Sequence, residues 1–251
     1  MTAVGAAVSL ASAILSAFFA ATVARQFLER RKLHQAMWTV GLLMFAVVAI
    51  VQLIAELSGW SDGLFRTWYV LGAGGLVGFL GAGSVYVVHR KLGHAFAAYT
   101  IVVFAAFLAL AAVTPTNPDA IAAWSANDAP VSGAGWAASG PRVLSPLLNV
   151  PGAAALIGIA LLGLLRYRLT YNAWIAGGAA VLAVGTALSR FNVPSLIYGA
   201  ELAGIALMFV GFFQAIEWAK EHRQIQKMAE AAESKSSEAT PSAPETQAKA
   251  K

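Results

Sequence analysis

Residues 52–91 read QLIAELSGWSDGLFRTWYVLGAGGLVGFLGAGSVYVVHRK, and the fold class turns on this stretch. It opens on the end of one long apolar run, crosses a polar turn holding Trp60, Asp62 and Arg66, and enters a second apolar run rich in glycine. A helix needs about 20 predominantly apolar residues to cross a hydrocarbon core of roughly 30 Å. The run between Arg66 and Arg90 has that length and contains no Asp, Glu, Lys or Arg. Its apolar character is continuous, without the two-residue alternation of an outer-membrane barrel strand, so helices are left as the way to satisfy backbone groups in lipid. The glycines do not form GxGxxG and lie in a segment too apolar for a phosphate-binding loop. Gly74, Gly78 and Ala82 recur every four residues instead, the spacing that lets helices approach closely. This helix is expected at the centre of a bundle.

The rest of the chain repeats the pattern. Seven segments meet or approach the length of a span: about 3–24, 36–57, 67–88, 95–114, 144–165, 173–189 and 196–218. The sixth is the shortest and contains Gly177 and Gly178. Of the 251 residues, 59% are hydrophobic and 12% charged, whereas soluble domains are roughly one quarter charged. An all-α, polytopic membrane protein with a bundle of seven transmembrane helices is the expected class. The first basic cluster follows the first apolar run, so that run reads as a retained span rather than a signal peptide.

The net charge of +5 would suggest nucleic acid in a soluble protein, but here the basic residues flank apolar runs and read as topology signals. No nucleic-acid partner is expected. Arg25, Arg30, Arg31 and Lys32 follow the first span, Arg90 and Lys91 the third, and Arg166 and Arg168 the fifth; the other connections hold only Arg66, Arg142 and Arg190. The positive-inside rule then predicts an outside N-terminus and a cytoplasmic C-terminus in a bacterial inner (plasma) membrane. Residues 1–218 form the transmembrane domain in this reading, with a cytoplasmic helical extension over 219–233 and a disordered tail over 234–251. The connection at 115–143 is long and rich in Pro, Gly, Ala and Ser, compatible with a folded cap or a mobile loop, with Trp124 and Trp136 at the interface.

Polar groups at membrane depth mark candidate sites. Glu201 enters the seventh span by about five residues, hence roughly 8 Å at 1.5 Å per residue. Tyr198, Gly204, Ile205 and Met208 share its helical face, and Glu56 with Gln52 one turn deeper forms a second polar stripe. Arg66 and Arg190 stand at span mouths as natural carboxylate partners. Asn149 lies beside Pro151, whose missing N–H frees a carbonyl one turn earlier. The expected ligand-binding set is therefore Glu201, Glu56, Gln52, Arg66, Arg190, Tyr198 and Asn149. A purely structural network of Glu56 with Arg66 and Glu201 with Arg190 is the competing account.

Catalysis is not expected. There is no cysteine, and His34, His89, His94 and His222 all fall at one end of the spans, so neither a haem pair nor a serine–histidine pair lies at membrane depth. No lysine lies within a span to carry a Schiff base. No catalytic residue, metal or cofactor is expected. The leading expectation is a non-enzymatic transporter or sensor of a small molecule or lipid, reached from the outer side. The alternative is a structural or accessory subunit with no ligand site. Membrane lipids are expected partners, as is a protein docked through the cytoplasmic helix; His89, His94, Arg90 and Lys91 lie within reach of lipid phosphates but read first as solvated topology charges.

Overall fold

The computed structural model describes residues 3–127, 131–188 and 194–238, with side chains described over 4–126, 131–185 and 199–230. The described residues are helical, without a named strand. In chain order they form α1 (Ala3–Arg30), α2 (Leu33–Ser58), α3 (Asp62–Trp68), a π-helical stretch (Tyr69–Leu76), α4 (Val77–Val88), α5 (Arg90–Val113), α6 (Pro118–Asn127), a 3-10 turn (Gly133–Gly135), α7 (Gly140–Tyr167), α8 (Tyr171–Leu188) and α9 (Pro194–Glu238).

Among the described residues six helices are long and apolar enough to cross a membrane: α1, α2, the continuous rod Asp62–Val88, α5, α7 and α9. The sixth sequence segment forms α8, 18 residues long, and its part with described side chains, Tyr171–Gly185, is apolar overall. Most helices extend past the apolar segments that define them, because polar residues at their ends continue the same backbone hydrogen bonds. Residues 239–251, most of the expected tail, lie outside the described residues.

Two compact units make up the chain, Met1–Gly211 and Phe212–Lys251. Within the first, the rod Asp62–Val88 is the most buried of the long helices, and α4 packs against α2, α5 and α7. The small residues explain why. A Cβ added at Gly81 would lie 2.5 Å from the Gly152 carbonyl oxygen, and one at Gly152 would lie 2.5 Å from that of Val77. The backbones of α4 and α7 are in direct contact, which only glycine permits on both sides. Phe107 fills the place a Gly74 side chain would take, and Thr100 and Leu148 close on Gly78.

The turns follow local chemistry. Gly59 ends α2 at φ 86°, and Ser61 caps α3 by accepting the Leu64 N–H at 3.3 Å. In α7, Pro151 cannot donate to the Leu147 carbonyl; the Tyr99 hydroxyl of α5 donates to it instead at 2.6 Å. The second unit, taken by itself, carries an exposed ion pair between Lys220 and Glu217 at 2.7 Å. The Trp218 and His222 rings also approach there to 3.8 Å.

Candidate functional site

The polar residues of α2 and α9 meet. Gln52 is 2% exposed, and its Nε2 donates to Glu201 Oε1 at 3.1 Å. On α9 the same face carries Gly204, Ile205 and Met208, all buried; Gly204 lies against Gly178 and Leu182 of α8. Glu56 lies one turn along α2 from Gln52, also buried. It has contacts of its own.

Register brings α1 to the same place. Gln35 Nε2 donates to Gln26 Oε1 at 3.2 Å, pinning α1 and α2 side by side and antiparallel. Ser9 lies as many residues before Gln26 as Gln52 lies after Gln35, so Ser9 stands level with Gln52. A second point agrees: Phe209 of α9 packs edge-on against Phe18 and Phe19 with ring centroids 5.8 and 5.4 Å apart. Counting back from that contact sets Glu201 between Ser9 and Ser12. Both serines are 2% exposed. Among the described residues, Ser9 Oγ, Ser12 Oγ and Gln52 Oε1 are buried without a hydrogen-bond partner. Buried polar atoms are usually partnered; Gln35 Oε1, Trp68 Nε1, Thr100 Oγ1 and Trp136 Nε1 are likewise buried without a partner elsewhere among the described residues. The sequence reading missed these serines, although Ser9, Ser12 and Ser16 fall on one helical face at spacings of three and four.

Asn149 is brought to a different place. The π-helical stretch of the rod closes i→i+5 bonds and so shifts the backbone register, and the Ala73 carbonyl accepts two side-chain bonds from α7. Ser145 Oγ donates to it at 2.6 Å and Asn149 Nδ2 at 2.5 Å. The Asn149 amide nitrogen also lies 3.1 Å from Ser145 Oγ. These contacts hold the irregular backbone.

Arg66 has a third location. Its Nε donates to Asp62 Oδ2 at 2.8 Å, and its Nη1 to the carbonyls of Ala111 at 2.6 Å and Thr114 at 3.1 Å. Its guanidinium lies 5.2 Å from the centre of the Trp136 ring. Asp62 in turn accepts from the Thr116 hydroxyl. Arg66 therefore ties the start of the rod to the end of α5 and is not joined to Glu56. Above it the described part of the 115–143 connection is folded: Trp136 and Phe65 are fully buried and Trp124 nearly so. These rings lie 5.1 to 5.4 Å from Phe65, and Thr116 pairs with Trp136 through an isolated antiparallel bridge. The two tryptophans expected at the interface are core residues of this cap.

Arg190 lies outside the described residues, as does the side chain of Tyr198. Among the described residues no three His, Asp or Glu side chains stand together as a metal site would require. Comparison with protein-family models, with curated proteins and with solved structures finds no match.

Proposed function

We propose that this chain is a non-enzymatic, multi-pass protein of a bacterial inner membrane. In this reading α8 completes a seven-helix bundle whose N-terminus is outside and whose C-terminus is cytoplasmic. Its site is the polar cluster of Ser9, Ser12, Gln52, Glu56 and Glu201 in the outer half of the bundle. The observation that carries the reading is the Gln52–Glu201 hydrogen bond beside unpartnered buried oxygens.

The chemistry of that cluster selects its ligand. Carboxylates and the Gln52 carbonyl only accept hydrogen bonds, and serine hydroxyls can accept as well as donate. An acceptor-rich cluster recognises a group rich in N–H donors, so a small molecule bearing an ammonium group is the fitting class. Arg66 stands apart from this set because its Nε and Nη1 donors are used within the cap.

The test is ligand-dependent thermal stability of the purified full chain in detergent micelles. A ligand at 100 times its Kd stabilises by about 2.7 kcal/mol. Primary amines should raise the melting temperature of the wild type and leave Glu201→Gln unchanged, with both proteins monodisperse, whereas quaternary amines, which have no N–H to donate, should stabilise neither. Stabilisation by carboxylic acids alone, or equal stabilisation of the variant, overturns the reading. Truncation after Trp218 separates the roles: a transporter keeps uptake without the C-terminal extension, whereas a sensor loses its output.

A further inference from the structure

At the opposite end of α2 from Gln52, a cleft of about 300 Å³ is lined by Arg31, Lys32, Leu33, His34, Tyr86 and Arg90. We propose that this cleft binds the phosphate of an anionic membrane phospholipid. It is distinct from the Glu201 cluster and does not depend on it.

Three cations converge on the cleft without a counter-ion. Among the described residues Arg31, Lys32 and Arg90 form no ion pair, and the neighbouring carboxylate, Glu29, is paired with Arg25 at 3.1 Å. Like charges held together in this way repel unless an anion lies between them. The backbone contributes to the same pocket. Lys32 precedes α2 without a side-chain cap, so the N–H groups of Leu33 and His34 have no intrahelical acceptor and carry the positive end of a 26-residue helix. The N-terminus of α5 differs, since His89 Nδ1 accepts the Leu92 N–H at 3.3 Å. That cap leaves the Arg90 and Lys91 N–H groups without an intrahelical acceptor as well, so the first N–H groups of both helices are free beside the cleft.

The surroundings identify a lipid over a free ion. Leu33, Val87, Val88 and Leu92 are exposed beside the cations, so a phosphate in the cleft has apolar surface next to it for acyl chains. Basic residues at the cytoplasmic ends of spanning helices meet anionic head groups in this geometry. Fixing the α1–α2 turn has a structural requirement too: Arg31 adopts φ 53°, a left-handed conformation uncommon for a residue with a side chain. An anion bridging Arg31 to Arg90 joins that turn to the start of α5.

The experiment uses the full chain in a neutral detergent, with three probes: short-chain phosphatidylglycerol, short-chain phosphatidylcholine and inorganic phosphate. Binding is read by native mass spectrometry and by melting temperature. Phosphatidylglycerol is expected to remain bound and to stabilise saturably, phosphatidylcholine to do neither, and inorganic phosphate to compete only at concentrations at least tenfold higher. Arg31→Gln combined with Arg90→Gln should weaken phosphatidylglycerol binding at least tenfold. Arg166→Gln combined with Arg168→Gln removes the same charge at the α7–α8 turn and should leave it unchanged. All four arginines are exposed, so these variants are expected to fold. Equal retention of phosphatidylcholine, equal loss in both double variants, or phosphate binding as tightly as the lipid overturns the proposal.

Discussion

Gln52 and Glu201 lie 149 positions apart in the chain, and the Gln52 amide donates to the Glu201 carboxyl oxygen at 3.1 Å. This bond joins α2 to α9 within the apolar interior. Polar contacts between membrane helices measure about 0.6 kcal/mol on average and up to about 1.7. Gln52→Leu should therefore lower stability, and adding Glu201→Leu should restore part of the loss, giving a coupling of about 1 kcal/mol in a double-mutant cycle. Denaturation in mixed micelles measures it. Strictly additive losses would show that the bond contributes no coupling.

The Tyr99 hydroxyl compensates for a missing amide at Pro151. Tyr99→Phe should cost about 0.5–1.5 kcal/mol, the usual worth of one hydrogen bond. In a Pro151→Ala background the restored N–H can take the Leu147 carbonyl, and the same substitution should then cost less. An equal cost in both backgrounds would separate the tyrosine from the proline.

Ser145 and Asn149 share one acceptor, the Ala73 carbonyl. Either Ser145→Ala or Asn149→Leu leaves one donor in place, and each should be mild. Together they leave a buried carbonyl unsatisfied, at about 1–3 kcal/mol. Unfolding measurements should find the double variant worse than the sum of the singles. Simple additivity would argue against a shared role at the π-helical stretch.

Arg66→Lys keeps the charge but loses the fork that reaches Asp62, Ala111 and Thr114. The cap over Phe65 should loosen, with a loss of about 1.5–3 kcal/mol typical of hydrogen bonds to charged groups. Acrylamide quenching of tryptophan should increase and elastase should cut faster between residues 115 and 126. Unchanged quenching and proteolysis would mean that packing of Trp124 and Trp136 suffices without the arginine.

The proposed orientation can be measured directly because the chain has no cysteine. Asp119→Cys and Lys91→Cys place single thiols at exposed positions in different connections. An impermeant maleimide added to intact cells should label the first and spare the second. The reverse pattern would invert the topology and with it the outer placement of the Glu201 cluster.

The sequence by itself determined the helical, membrane-spanning character and the centrality of the glycine-rich rod, and it singled out Gln52 and Glu201, which the structure joins by a hydrogen bond. Each of these follows from a one-dimensional quantity: the length of an apolar run, the spacing of small residues, or a polar group where transfer to lipid is costly. Tertiary structure decided which partners the polar groups take. Arg66 bonds carbonyls 45 and 48 residues away, at the end of α5, and Asn149 serves a carbonyl exposed by a π-helical register shift that no residue spacing announces. Ser9 and Ser12 fall on one face of α1, but only antiparallel register with α2 brings Ser9 level with Gln52. Hydrogen-bond pairing depends on distance and direction between separate helices, and those are set by how glycine faces pack. The span from Gln52 to Lys91 fixes the architecture, while the polar contact of Gln52 with Glu201 depends on α9 packing at its beginning.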